Sequence, residues 1–237
     1  MGRFPNIAAS KAKTGAAKAK VYSSYAKEIY IVAKQGGTDP DGNLQLRHLI
    51  DKAKKEQVPA DIIKRAIDKV NKGVDESYTS VRYEGFASGG ATVMVDCLTD
   101  NVNRSVSMVK NAFTKSNAKM GVQGCVSHMY EHLAVVIVKD MTEDEALEAL
   151  LMNEVDAKEI EQEDGNVSIY GEPSDLYKIK DAIIASKPNA EFVVDEVTYL
   201  PNETVTLTGE DKDNFEKLLN MLDEVEDVQK VYHNVNL

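Results

Sequence analysis

No stretch of this chain approaches the roughly 18 consecutive apolar residues that a bilayer-spanning helix needs, so a membrane role is not expected. The first residues include lysines but neither an apolar core segment nor a small-residue cleavage site, which argues against export and for a cytoplasmic protein. Cysteine is scarce. Cys97 and Cys125 sit in apolar, strand-like segments without metal-ligand spacing, so reduced, buried thiols are expected rather than a disulfide or metal site. Acidic residues are missing altogether before Glu28, whereas Arg3, Lys11, Lys13, Lys18, Lys20 and Lys27 precede or adjoin it. The net charge of -11 is therefore unevenly distributed: residues 1–73 hold 15 basic and 7 acidic side chains, the remainder 13 basic and 32 acidic. Screening over about 8 Å at physiological salt lets such a basic segment attract phosphates although the whole molecule is negative.

With 237 residues, 43% of them hydrophobic, the chain can build two or three small domains. Residues 1–80 read as a basic arm leading into a three-helix bundle. Lys20 to Gln35 carries Tyr22, Tyr25, Ile29 and Val32 on one side, Asn43 to Gln57 follows, and Pro59 opens a third helix that ends at Gly73. Residues 81–131 with 201–237 read as a split domain. Ala91, Val93, Val95 and Cys97 alternate as a strand; Val102, Val106, Val109 and Phe113 form a helical stripe behind an N-cap at Asp100 or Asn101; and Gly124 to Tyr130 is expected to be a second strand. Glu203 to Leu207, a helix after Thr208, and Gln229 to Val235 complete it. Residues 132–200 repeat the order βαββαβ, with a capping box at Thr142 and Glu145 and a turn at Asp164-Gly165-Asn166. The expected fold class is α+β: an N-terminal three-helix bundle followed by two ferredoxin-like α/β domains, the third inserted into the second. The acidic surface of residues 132–200, with Glu143, Asp144, Glu148, Glu154, Glu159, Glu161, Glu163 and Asp164, suits a spacer or protein-contact module and would repel a polyanion.

Tyr83-Glu84-Gly85, Gly89-Gly90, Leu98-Thr99-Asp100-Asn101-Val102-Asn103-Arg104, Phe113-Thr114-Lys115, Val126-Ser127-His128-Met129-Tyr130 and Asp227-Val228-Gln229-Lys230-Val231-Tyr232-His233-Asn234 together resemble the YebC family over nearly the whole chain. The resemblance implies a three-domain protein of the group described as probable transcriptional regulatory proteins, which bind DNA; mitochondrial relatives activate translation of cytochrome c oxidase. Most relatives open with Gly, His, Ser, Lys, Trp, Ala, Asn, Ile. Here Gly2-Arg3-Phe4-Pro5-Asn6-Ile7 stands instead, which resembles the shorter second branch. Relatives also carry Gly-Ser-Val where this chain has Gly124-Cys125-Val126.

The expected phosphate contacts are Arg3, Lys11, Lys13, Lys18, Lys20 and Lys27 of the arm, joined by Arg104, Lys115 and Lys119 from the 101–119 helix and loop. A solvated helix face is the plain alternative for the last three. Lysines set among alanines neutralise phosphates but read no bases, and the bundle shows no recognition helix with polar readers at its start. The partner is thus a nucleic acid, DNA or ribosomal RNA, and the two functional readings are a DNA-binding transcriptional regulator and a ribosome-associated translation factor that relieves stalled elongation. No cofactor, metal or membrane partner is expected, and a monomer is favoured. His128 and His132 leave a strand where helical metal spacing has no meaning, and Tyr232-His233-Asn234 reads as a polar strand end that pins domains together. The glycines Gly121 and Gly124 read as a plain turn that could also let backbone approach a phosphate. An enzyme is not expected, because no activated nucleophile or metal constellation is visible.

Overall fold

The computed structural model describes residues 15–163 and 165–236, with side chains from residue 18 onward. They form two compact units: the described residues up to Val126 together with Val205–Val235, and Ser127–Thr204.

The first unit begins with α1, Gly15–Gly36, which stops where Gly37 turns to a φ of 98° and returns its N–H to Ala33 O at 2.9 Å. Asn43 caps α2, Leu44–Lys55, by accepting from Leu46 N at 3.1 Å, and its amide also donates to Val32 O and Gly37 O. Pro59 stands as the N-cap of α3, Ala60–Asn71, rather than inside its first turn. Ile29, Ala33, Leu46, Ile50, Ala53, Ile63 and Ala66 close this bundle's core.

Next comes a strand that the sequence reading did not place. β1, Thr79–Phe86, alternates the inward Val81 and Tyr83 with Arg82 and Glu84 over a short run; Arg82 is matched across the sheet by Asp96 at 2.6 and 2.8 Å. β1 pairs antiparallel with β2, Thr92–Thr99, and α4, Val102–Lys115, packs Val109, Ala112 and Phe113 against them. β3 is only Lys119–Met120, at the sheet edge. The expected strand from Gly124 to Tyr130 is a correction: this stretch runs through turns and a 3-10 turn at Ser127–Met129, and strand begins only at Tyr130. The cause is local. Gly124 has a φ of 87°, and the N–H groups of Gly124 and Val126 are taken by the Glu84 carboxylate at 2.9 and 2.6 Å instead of by a ladder.

The second unit contains β4, Tyr130–Lys139; α5, Glu143–Met152; β5, Glu159–Glu163; β6, Asn166–Gly171; α6, Leu176–Ser186; and β7, Phe192–Pro201. Thr142 and Glu145 close the capping box of α5, and Asp164 of the expected turn lies outside the described residues. The antiparallel order β5-β6-β4-β7 is that of a ferredoxin-like βαββαβ sheet. Ala134, Val136 and Val138 alternate toward Ala146, Leu150, Ile179 and Ile183 of the two helices.

The chain then returns to the first unit through β8, Val205–Thr206; α7, Gly209–Asp223; β9, Val228–His233; and β10, Val235–Asn236. β9 joins the main sheet in the order β3-β1-β2-β9, whereas β8 pairs only with β10, so the expected strand at Glu203 to Leu207 contributes a separate two-stranded ribbon. Phe215, Leu218 and Leu222 of α7 share one core with Val93, Val95 and Phe113. Asn234 pins this end to the same unit: it accepts from Thr92 N at 2.8 Å and donates to Gly90 O at 3.3 Å.

Gly85 is where β1 and β3 approach most closely, since a Cβ there would lie 2.6 Å from Lys119 O and 3.1 Å from Met120 Cα. Gly85→Ala is expected to destabilise the first unit by about 1–3 kcal/mol through overpacking. Urea unfolding checks this, and an unchanged midpoint would contradict the close approach.

Candidate nucleic-acid interface

The junction between β2 and α4 is built from short polar side chains. Thr99 Oγ1 accepts from Asn101 N at 3.0 Å, and Asn101 caps α4 by accepting from Arg104 N at 3.0 Å. Arg104, one turn into the helix, is thereby aimed back across the junction. Its guanidinium donates to Asp100 at 2.7 Å and to both oxygens of Asp227 at 3.0 Å. Asp227 is 1% exposed, also accepts from Thr99 Oγ1 at 3.0 Å, and uses its own carbonyl to receive Leu98 N at 2.8 Å. Burial alone would raise its pKa, but the bonds from Arg104, Thr99 and Lys27 outweigh that and hold the carboxyl below the usual aspartate range.

Lys27 of α1 reaches the same carboxylate at 3.3 Å and Glu226 at 3.9 Å. Around it, Lys20 donates to Asp223 O at 2.6 Å, Ser23 to Glu226 at 3.2 Å and Ser24 to Gln229. Burial pulls the Lys20 ammonium below the ordinary lysine range, against the opposing pull of Asp223. The structure therefore brings Lys20, Lys27 and Arg104 together, but as cross-ties between α1, α4 and the turn before β9. The side chains of Lys20 and Lys27 are 19% and 12% exposed and face carboxylates, whereas that of Arg104 is 42% exposed. Spacing contained the signal, because Lys20, Ser23, Ser24 and Lys27 share one helical face.

Lys18, Lys115 and Lys119 are exposed, while Arg3, Lys11 and Lys13 lie outside the described residues. Lys115 ends α4 and Lys119 starts β3, on either side of the turn that feeds the Gly121–Gly124 loop. Glu84, buried beneath this loop, fixes it through the N–H groups already described, and Gly121 N bonds Glu84 O at 2.8 Å. A Cβ on Gly121 would meet Cys125 Sγ at 2.5 Å, so the loop folds tightly onto itself and leaves Val122 at its tip. The roles of Glu84 and Asp227 escaped residue-by-residue reading although both lie in the segments that carry the resemblance.

The remaining candidates have structural partners. Burial pushes the Cys97 thiol up to about 11, and neither cysteine is in a disulfide. His132 stacks on its cross-strand neighbour Tyr199 at 4.2 Å between ring centres. His233 accepts from Val235 N at 3.3 Å and meets Phe215 edge-on, and burial lowers its pKa. Among the described residues no group of three His, Cys, Asp or Glu side chains could hold a metal ion, and no helix is long and apolar enough to cross a membrane.

Comparison with known proteins matches residues 2–73 to the TACO1/YebC protein N-terminal domain and residues 78–235 to the TACO1/YebC second and third domain. The chain is 50% identical over 235 residues to a protein of Pseudoalteromonas atlantica named probable transcriptional regulatory protein, covering 99% of this chain and 97% of that one. A Vibrio cholerae protein of the same description is 49% identical over the full length of both. Among solved structures, a conserved hypothetical protein from Aquifex aeolicus matches with a TM-score of 0.79 and 34% identity, over 99% of this chain and 96% of that one.

Asp227→Asn is expected to cost about 1.5–3 kcal/mol at neutral pH, the range for hydrogen bonds to charged groups. Because the folded-state pKa of Asp227 is depressed, its contribution is complete above the unfolded value near 4 and disappears as pH falls through the lower folded value. Urea unfolding of both proteins at pH 7 and at about pH 2–3 should show the gap closing in acid; a gap of constant size would remove Asp227 from the acid sensitivity.

Proposed function

The chain belongs to the YebC family, and on that premise we propose that it is a non-enzymatic regulator of gene expression that acts by binding nucleic acid. The observation that carries this reading is the charge division, with 15 basic against 7 acidic side chains in residues 1–73 of a molecule whose net charge is -11. Phosphate contact is assigned to Arg3, Lys11, Lys13 and Lys18, completed by Lys115 and Lys119 beside the loop that Glu84 anchors. Lys20, Lys27 and Arg104 serve instead to hold the first unit together through Asp227. DNA is the leading target, because the relatives are named probable transcriptional regulatory proteins and transcription is regulated on DNA. A structured RNA such as ribosomal RNA is the second reading, favoured by one feature: the leading lysines are set among alanines, which neutralises phosphate without supplying a cluster of base-reading side chains.

Crosslinking in cells followed by sequencing separates the targets. Enrichment of promoter DNA supports the first, ribosomal RNA the second, and enrichment of neither would overturn nucleic-acid binding as the function. In vitro, Lys18→Ala, Lys115→Ala and Lys119→Ala together should flatten the dependence of log K on log salt by up to about three units, near 0.9 for each DNA phosphate that is no longer neutralised. Lys20→Ala with Lys27→Ala should lower the unfolding midpoint and leave that slope unchanged. The reverse pattern would transfer phosphate binding to the Asp227 cluster.

A further inference from the structure

The unit Ser127–Thr204 carries a groove that phosphate binding does not use. It has a volume of about 380 Å³ and is lined by Leu147, Leu150 and Leu151 of α5 and by Val155, Ala157 and Ile160 alongside. Three apolar side chains of α5 point outward: Leu147 is 46%, Leu151 68% and Met152 76% exposed. Leu147 and Leu151 are one turn apart, so they form a ridge above the groove on a helix that already buries Ala146, Ala149 and the groove-lining Leu150 in the core. A helix with apolar residues on both sides has a second surface to cover.

The charge around this ridge selects the occupant. Glu143, Asp144 and Glu148 flank it on α5, Glu154 follows the helix, and Asp156 lines the groove. Lys158 also lines it, but is held by Glu131 at 3.4 Å and Glu172 at 3.0 Å. Within Ser127–Thr204 there are 19 acidic and 5 basic side chains. Such a field repels nucleic acid and anionic lipid. A second copy would set Glu143, Asp144 and Glu148 against their own images, which like charge disfavours. A cationic protein segment meets neither obstacle.

We propose that the α5–β5 groove, with Leu147 and Leu151 at its rim and Glu143, Glu148 and Asp156 around it, is a docking site for a lysine- and arginine-rich amphipathic helix of a partner protein. The partner's apolar side chains at helical spacing enter the groove, and its basic residues face the acidic rim. The site stands independently of the nucleic-acid reading, since none of the lysines assigned to phosphate lies in this unit.

The test uses the full chain and two labelled synthetic peptides of one composition, leucine and lysine, read by fluorescence anisotropy. In one the leucines recur at three- and four-residue steps; in the other they are shuffled out of helical register. The in-register peptide is expected to bind about tenfold or more tightly, equivalent to about 1.4 kcal/mol. Leu147→Ser with Leu151→Ser, both exposed positions, should abolish that ratio while leaving nucleic-acid affinity and the unfolding midpoint unchanged. E143Q with E148Q should weaken both peptides. Equal affinity of the two peptides, or a ratio that survives the serine substitutions, would overturn the proposal. So would dimers in sedimentation that the serine substitutions dissociate, because the groove would then be covered by a second copy.

Discussion

A single buried carboxylate organises the first unit. Asp227 lies in the turn before β9, yet it collects the guanidinium of α4, the ammonium of Lys27 on α1 and the hydroxyl of Thr99 at the end of β2. An isolated charge in that position would be costly, and its cost is offset only when all of these donors arrive together. The requirement fixes register between segments far apart in the chain. The helix cap at Asn101, the orientation of Arg104 and the seating of α1 are each consistent with one location for Asp227. Glu84 plays the corresponding part at the opposite edge of the sheet, where it replaces the missing ladder for Gly124 and Val126.

This arrangement divides the early cations into two kinds that composition does not distinguish. Lys20 and Lys27 lie against the acidic end of α7 and the turn beyond it, so their charge is consumed within the fold. Lys18, Lys115 and Lys119 remain exposed. Fewer cations of the segment are therefore open to solvent than its overall balance suggests, and much of the chain's negative charge lies on the unit that bears α5.

Much of the architecture was legible where periodicity and capping chemistry agree. Val109 and Phe113 on α4, Phe215, Leu218 and Leu222 on α7, and the Thr142–Glu145 box all stand where spacing placed them. The α+β class, with a helical region followed by antiparallel sheets, follows from such elements. What could not be read depended on side chains distant in sequence. β1 alternates Val81 and Tyr83 with Arg82 and Glu84 over only four residues, too short a run to stand out, and each charge is satisfied only by a partner that folding supplies. The segment from Gly124 to Val126 had strand composition, but its amides were claimed by Glu84, about 40 residues earlier. In the candidate interface, Lys115 lies on the exposed side of α4, whereas the partners of Lys20 and Lys27 sit some 200 residues away, beyond the reach of any local pattern.

The interruption of one unit by another has a consequence for biosynthesis. All strands and both helices of the sheet from Tyr130 to Pro201 are contiguous, so that unit can close as soon as it leaves the ribosome. The hairpin of β1 and β2, made earlier, is at first covered only by α4, and its core is complete only when Phe215, Leu218 and β9 follow. In the nascent chain the guest is thus complete before its host, and the older half-sheet stays open until the youngest strand arrives to seal it.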